Sequence, residues 1–197
     1  MKIDSKLNIL VYGHPKLSEK AVPVKKIDGE IKRFGDELIR MMLEYDGVGL
    51  AATQLGVKLR MIALCVPSPD PVKLGRPLSP GEELLPRKMP AVIINPRIIS
   101  FGEELSIREE GCLSVPGIFS EVERPAQIVF EGIVNYEEKI TIECAGLLSR
   151  AIQHEIDHLD GVLFVDRLGK KAFSKIKSEM DLLKKNSAQN NFIRTVK

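Results

Sequence analysis

Residues 147–159 read Leu147-Leu148-Ser149-Arg150-Ala151-Ile152-Gln153-His154-Glu155-Ile156-Asp157-His158-Leu159 and contain an HExxH motif. We predict that this segment is a helix that ends at Gly161. Side chains four residues apart lie on the same face of a helix, so both imidazoles of the motif can reach one metal ion. Glu155 lies off that line but close enough to contact a water on the ion. The motif therefore predicts two metal ligands and a general base.

Chance is a poor explanation of the motif, since roughly 0.004 matches are expected in a chain of this composition. The alternative is a pair of solvated or core histidines that happen to be four residues apart. A catalytic site also needs a third protein ligand. The longer metzincin motif is excluded because Phe164 stands where that motif has histidine. His14, beside Pro15, is expected to be a surface turn residue, and Asp160 and Asp166 lie too near on the chain to fold back easily.

The three cysteines supply further candidates for the third ligand. Cys144 falls at an inward-facing strand position and Cys65 lies in an apolar run, so both are expected in the core. Cys112 lies in a polar segment bounded by glycine and proline, where a side chain can project. The sequence favours Cys112 as a ligand over a small apolar residue in a turn.

Length and composition indicate a globular chain. With 197 residues we expect a single catalytic domain. The net charge of +2 is too small to argue for nucleic-acid or membrane binding. No apolar stretch is long enough to span a bilayer, and the first six residues lack the features of a secretory signal. We therefore expect a cytoplasmic protein with no DNA or membrane partner.

The pattern of apolar residues predicts an α+β fold, with short antiparallel sheets around a central metal-binding helix and a C-terminal helix. Helices are expected at 28–45, with Asp28 as N-cap, at 147–159, and from about Lys170, where Phe173, Ile176, Met180 and Leu183 share one face. Strands are expected at 61–66, 91–95, 97–101, 127–131 and 139–144. Residues 67–90 hold seven of the twelve prolines and are expected to form an irregular surface loop or insertion.

Three segments together resemble the signature motifs of the peptide deformylase family, and the resemblance extends from about Val11 to Leu168. The order and separation of the motifs also match. They are Gly47-Val48-Gly49-Leu50-Ala51-Ala52-Thr53-Gln54, then Glu110-Gly111-Cys112-Leu113-Ser114, then Gln153-His154-Glu155-Ile156-Asp157-His158.

The resemblance implies a role for each matching residue. The metal ligands would be Cys112, His154 and His158, with a water in the fourth position. The general base would be Glu155. The donors to the oxyanion would be the Gln54 side chain and the backbone N–H of Leu113. The segment Gly47, Val48 and Gly49 would pair with the substrate peptide, and its glycines suit a backbone that approaches the substrate closely.

The resemblance also implies the reaction: metal-dependent removal of the N-formyl group from N-formyl-methionyl nascent polypeptides. It implies Fe²⁺ as the native ion, with Zn²⁺, Ni²⁺ or Co²⁺ as possible substitutes, whereas the ligand set alone suggests zinc or any borderline divalent ion. The resemblance further implies a possible partner, since a basic tail docks on the ribosome in some bacterial members of the family. Six lysines of the C-terminal helix would make that contact here, although charge runs are more often solvated faces. The alternatives are an HExxH metallopeptidase and a non-catalytic metal-binding domain.

The sequence predicts no catalytic role for several neighbours of the motifs. Glu110 and Ser114 are expected to show ordinary loop polarity. Gln153 is a candidate to orient the site from behind the residues that contact the metal. Arg108 and Arg150 are expected either to contact substrate or to be solvated. Asp157 belongs to the third motif, but the sequence offers no physical reason for its presence there.

Overall fold

A computed structural model describes residues 7–187 of the chain. Within this described part of the chain, five α-helices and seven strands follow one another in a mixed order, which confirms the predicted α+β class. The helices are α1 (Gly29–Glu44), α2 (Pro71–Leu74), α3 (Pro80–Leu84), α4 (Gly146–Leu159) and α5 (Lys170–Ser187). The strands are β1 (Gly49–Ala51), β2 (Met61–Leu64), β3 (Ala91–Phe101), β4 (Leu105–Cys112), β5 (Val115–Pro125), β6 (Gln127–Val134) and β7 (Lys139–Ala145).

Helix α1 begins as the sequence predicts. The side chain of Asp28 accepts hydrogen bonds from the N–H groups of Glu30 and Ile31, so it caps the helix. The buried side chains of α1 recur at helical spacing and pack on one face of the larger sheet. That face comes from alternate residues of β2, Met61 and Ala63, together with residues of β3.

Helix α4 covers the opposite face of the same sheet. Ile62 and Leu64 of β2 point toward Ile152 and Ile156 of α4, within a second cluster of buried residues. Strand β2 is therefore buried on both faces, as its unbroken apolar run predicts. Because α4 packs against this face of the sheet, the HExxH motif that it carries is held in a defined position.

The larger sheet has five antiparallel strands in the order β1-β2-β3-β6-β7. The sequence predicted two strands separated by Pro96, but β3 is one strand that continues through this residue. The pairing with β6 shifts register between Ile94 and Arg97, and Asn95 takes a positive φ of 52°. The side chain of Asn95 accepts from the N–H of Val24 and donates to its carbonyl, which stabilises the bulge.

Strands β4 and β5 form a separate two-stranded sheet that the sequence did not predict. Its inward side chains include Glu110 and Arg124, whereas its apolar Leu105 and Ile107 are exposed. In β4 the buried position holds a charged residue and the exposed positions hold apolar residues, the opposite of an ordinary half-buried strand. The sequence pattern therefore did not predict a strand here.

The Pro-rich segment 67–90, predicted to be an irregular surface loop or insertion, lies largely at the surface but is not irregular throughout. It contains α2 and α3, and each helix has proline in its first turn, where the missing N–H costs nothing. It also packs closely on the sheet, since a Cβ at Gly81 would lie 2.4 Å from the Cys144 Sγ. Helix α3 is therefore part of the packed structure, whereas α2 buries none of its residues.

The C-terminal helix α5 begins at Lys170, and its predicted apolar face is confirmed. Phe173, Ile176, Met180 and Leu183 pack in one cluster with residues of β5 and with 163–165. Within residues 7–187, no helix is both long enough and apolar enough to cross a membrane.

Candidate active site

Helix α4 brings the two histidines of the HExxH motif together. The Nε2 atoms of His154 and His158 are 3.2 Å apart. The apolar face of the helix is buried against the sheet, so its opposite face can present both imidazoles to the strand that ends at Cys112. The spacing of the motif therefore predicted this geometry correctly.

Cys112 completes a group of three potential ligands at the end of β4. Its Sγ lies 3.1 Å from the His158 Nε2, and the ligand atoms of Cys112, His154 and His158 all lie within 4.8 Å of one another. Nitrogen atoms bound tetrahedrally to one zinc-like ion are separated by about 3.3 Å, and a sulfur and a nitrogen by about 3.6 Å. The three residues thus fit a borderline divalent ion, since one thiolate and two imidazoles suit such ions chemically.

Glu155 is buried beside this group, with only 4% of its surface exposed. Burial, assisted by the charges of Glu110 and Asp157, raises the pKa of Glu155 to about 7, although His154 and Arg124 oppose the shift. Its Oε2 has no hydrogen-bond partner among the described residues. A buried carboxylate oxygen without a partner fits a site that receives another polar group.

The first motif forms the wall opposite Glu155. Gly49 opens strand β1, which lies at the edge of the larger sheet. A Cβ at Gly49 would lie 2.3 Å from the Glu155 Oε1, so a larger residue here would require the Glu155 side chain to move. The carbonyl of the exposed Val48 accepts from the N–H of Cys65, which holds the segment against the sheet.

Gln54 lies buried behind the cysteine. Its Nε2 donates to the Ser114 Oγ over 3.1 Å and to the Cys112 Sγ over 3.5 Å, and its Oε1 accepts from the N–H of Ala51 over 2.8 Å. The N–H of Ser114 also donates to the Cys112 Sγ over 3.3 Å. These contacts place Gln54 next to Leu113, which lies half-buried in the turn that follows Cys112.

A cavity of about 570 Å³, here called the site cavity, brings all of the predicted site residues except His158 to one surface. Its lining includes Gly47, Val48, Gly49, Gln54, Glu109, Gly111, Cys112, Leu113, Phe119, Leu147, Arg150, His154 and Glu155. His158 lies beneath them, with 1% of its surface exposed.

Glu110 was expected to be an ordinary loop residue, but that prediction is wrong. Glu110 is buried, and its Oε2 lies 2.9 Å from the Nδ1 of His154. A carboxylate in this position fixes the orientation of a ligating imidazole. Its Oε1 accepts from Arg124 Nε and from the guanidinium of Arg150, both over 2.6 Å. Although burial acts to raise the pKa of Glu110, these contacts hold it well below its ordinary value.

The same ion cluster accounts for Asp157. Its carboxylate accepts from Arg124 over 2.7 Å and from Arg167 Nε over 3.1 Å. Helix α4, which carries Asp157 and Arg150, is thereby tied to β4 and β5, which carry Glu110 and Arg124. No local pattern in the sequence marked this cluster, because its members are brought together only by the fold.

The remaining sequence expectations have mixed outcomes. Ser114 is buried and its hydroxyl accepts a hydrogen bond from Gln54, so it is not the solvated polar loop residue that was expected. Arg150 is buried and paired, whereas Arg108 is exposed. The amide nitrogen of Gln153 donates to the carbonyl of Pro125 and to Ser149 rather than to a predicted metal ligand, and its orienting role stays a prediction.

The other candidate ligands lie away from the site, as expected. His14 caps a short 3-10 helix through its Nδ1, so it is a turn residue. Asp160 pairs with Arg60, and Asp166 accepts from the N–H of Leu163. Cys144 is fully buried and Cys65 packs against the cluster under α1, so both belong to the core.

Comparison with known proteins identifies the family. Residues 6–174 match the family described as polypeptide deformylase. The chain is 40% identical over 172 residues to a peptide deformylase of Rhizobium meliloti, with 87% of each chain covered. It is also 40% identical over 162 residues to peptide deformylase 2 of Gloeobacter violaceus, covering 82% of this chain and 79% of that one.

Solved structures agree with this assignment. A crystal structure of a plant peptide deformylase superposes with a TM-score of 0.79 at 30% identity, covering 99% of this chain and 98% of that chain. The peptide deformylase of Thermotoga maritima superposes with a TM-score of 0.70 at 36% identity, covering 84% and 99%. The chain belongs to the peptide deformylase family.

Proposed function

We propose that this chain hydrolyses the formamide bond at the N-terminus of formyl-methionyl nascent polypeptides and releases formate. The observation that carries the proposal is the convergence of Cys112, His154 and His158 beside the buried Glu155, at the bottom of one open cavity. Membership of the family supports the same reaction. We propose that residues 1–197 act as a single catalytic domain.

We propose that Cys112, His154 and His158 hold one divalent ion, with Fe²⁺ as the native ion and Zn²⁺, Ni²⁺ or Co²⁺ as substitutes. Such an ion supplies a nucleophile at neutral pH and polarises the bond to be cleaved. Three protein ligands leave a position open, as a catalytic site requires. The contact between Glu110 and His154 supports this assignment, because it keeps Nε2 of His154 directed toward the cysteine.

Glu155 is proposed to move the proton. Its carboxylate would take a proton from the water that attacks the formyl carbon and deliver it to the nitrogen of the departing amine. The support is positional, since Glu155 lines the site cavity beside His154 and its Oε2 is free of any partner within residues 7–187.

Gln54 and Leu113 are proposed to stabilise the oxyanion that forms on the formyl carbon. The amide nitrogen of Gln54 is 3.5 Å from the Cys112 Sγ, so this donor lies beside the ligand group. Removal of one such donor typically raises the barrier by about 2.7–4 kcal/mol. The backbone N–H of Leu113 would be the second donor.

Gly47, Val48 and Gly49 are proposed to bind the substrate backbone. Strand β1 pairs only with β2 within the described residues, so its other edge is available for an extended peptide. Addition of a peptide to a free strand edge gives main-chain hydrogen bonds that do not depend on the side chains of the ligand. This mode suits an enzyme that must accept many nascent chains.

One assay tests the proposal against its rivals. Protein prepared under nitrogen is incubated with a formyl-Met tripeptide, and the products are identified by mass. Formate release with an intact tripeptide supports deformylation, whereas scission of a peptide bond supports an HExxH peptidase, and no turnover supports a non-catalytic metal domain. Glu155→Ala is expected to abolish turnover while the metal stays bound. Normal activity of this variant would contradict the general-base assignment.

We further propose that the enzyme works in the cytoplasm at the ribosome, where formylated chains emerge. The lysines of α5 are all exposed, which supports an electrostatic contact with ribosomal RNA. They are Lys170, Lys171, Lys175, Lys177, Lys184 and Lys185. The contact should appear as co-sedimentation with ribosomes that is lost as salt rises, and absent or salt-insensitive co-sedimentation would contradict it.

A further inference from the structure

The outer face of the β4–β5 sheet exposes large apolar side chains. Residues pair in register from Leu105 opposite Pro125 to Gly111 opposite Phe119, so alternate residues share a face. On the outer face, Leu105, Ile107 and Phe119 are 55%, 60% and 60% exposed. A group of exposed apolar residues on one sheet face is typical of a binding surface.

Three carboxylates lie on the same face, so a positively charged ligand would be favoured there. Glu109 lies directly opposite Glu121, and Glu123 lies opposite Ile107. All three are exposed, and none forms an ion pair within residues 7–187. Like charges directly opposite each other destabilise a sheet, and a bound cation would relieve this repulsion. A second copy of the same face would increase it, which argues against self-association here.

This face is continuous with the site cavity. The ring of Phe119 lies over Gly111, where a Cβ would be 2.5 Å from the ring, and Gly111 precedes Cys112. Phe119 and Glu109 line the same cavity as His154 and Glu155. From Gly111 to Leu105 the face extends about 20 Å, at about 3.4 Å per residue. It can therefore accommodate about six residues of an extended peptide.

We propose that the outer face of the β4–β5 sheet is an exosite for the part of the nascent chain that follows its first residues. Its preferred ligand is an extended segment in which lysine or arginine alternates with apolar residues. The basic side chains would pair with Glu109, Glu121 and Glu123, and the apolar ones would cover Leu105, Ile107 and Phe119. This inference rests on the proposed deformylase function, because the substrate must first enter the site cavity.

The test compares two formylated decapeptides that share their first four residues. In one, lysine and leucine alternate in the remaining positions, and in the other, glutamate replaces each lysine. We expect kcat/KM to be about fivefold higher for the lysine peptide at low salt, since several exposed charge pairs each contribute modestly. The ratio should approach one at about 0.5 M salt, where exposed charges are screened. A formyl-Met tripeptide, too short to reach the exosite, provides the reference rate.

A charge-reversal variant locates the effect. Glu121→Lys combined with Glu123→Lys should reverse the order of the two decapeptides and leave tripeptide hydrolysis unchanged. The matched control is Glu138→Lys combined with Glu143→Lys, which makes the same change in net charge at exposed positions of β7 and the turn before it. This control should retain the preference of the original chain.

The outcomes separate this inference from the function on which it rests. If the tripeptide is not deformylated, the proposed function fails, and the exosite fails with it. If the tripeptide is deformylated but the two decapeptides react equally, the exosite alone is overturned. The same conclusion follows if the charge-reversal variant keeps the preference for lysine.

Discussion

Glycine at position 49 leaves room for the Glu155 carboxylate. A Cβ there would lie 2.3 Å from Oε1 and 2.8 Å from the carboxyl carbon, so the side chain of Glu155 would have to move. We expect Gly49→Ala to lower kcat for a formyl-Met tripeptide by about 100-fold, the smaller end of what a displaced general base costs. Formate release measures the rate, and metal analysis should show an unchanged metal content.

Gly169→Ala is the control for this substitution, because no atom lies within 4 Å of a Cβ at Gly169. It should retain normal kcat. If Gly49→Ala also turned over normally, the close approach of β1 and Glu155 would have no catalytic consequence.

At the level of single residues, the sequence predicted best where one helix sets the geometry. His154, Glu155 and His158 follow from the spacing within α4, and Cys112 follows from the character of its segment and from the family motif. Glu110 was missed, because its contact with His154 joins residues 44 positions apart. A short motif shows which residue types are present, but it does not show which carboxylate becomes buried against which imidazole.

Helix α3 is fixed by the buried carboxylate of Glu82. Burial alone would raise the pKa of Glu82, but hydrogen bonds from Arg76 and Ser79 outweigh it and lower the pKa below its ordinary value of 4.5. Such a carboxylate contributes stability that is present above about pH 4.5 and is lost as the pH falls through the folded-state pKa. We expect Glu82→Gln to lower the free energy of unfolding by about 1–3 kcal/mol at neutral pH.

Urea unfolding at about pH 7 and about pH 3 measures this effect. The difference between Glu82→Gln and the original chain should shrink at the lower pH, because the stability that the lowered pKa of Glu82 provides declines once the pH falls below its ordinary value of 4.5. Glu83→Gln, an exposed neighbour in the same helix, makes the same change in charge and should show little effect at either pH. An equal loss of stability at both values would show that the ion pair with Arg76 does not stabilise α3.

At the level of elements, prediction succeeded where burial follows the usual pattern and failed where it does not. Helix α1 and strand β2 have apolar faces that meet the core, so their periodicity identified them. Strand β4 places apolar residues in solvent and Glu110 in the interior, because its inner face builds the ion cluster of the site. In the Pro-rich segment, the helices were not predicted for another reason. Its prolines lie in the first turns of short helices, where they do not prevent helix formation.

Across the whole molecule, the candidate ligands come from two parts of the fold that are held together by ion pairs between side chains. Cys112 ends β4, and His154 and His158 lie on α4. The pairs Glu110–Arg150 and Arg124–Asp157, at 2.6 Å and 2.7 Å, hold the β4–β5 sheet against α4. The α+β class was predictable from the sequence, but this junction was not, because it depends on partners that are distant along the chain.

Metal removal should therefore inactivate the protein without unfolding it. After treatment with a chelator, we expect formyl-Met tripeptide hydrolysis to be lost while the circular dichroism spectrum of the folded chain is retained. The Tm should fall, because an ion at 100 times its Kd stabilises the folded state by about 2.7 kcal/mol. Adding Fe²⁺ or Ni²⁺ under nitrogen should restore both activity and Tm.

Cys112→Ser should resemble the chelated protein, whereas Cys65→Ser should behave normally. Unfolding on chelation would instead indicate a structural metal, on which folding itself depends, and would contradict a site already held in place by Glu110 and its arginines.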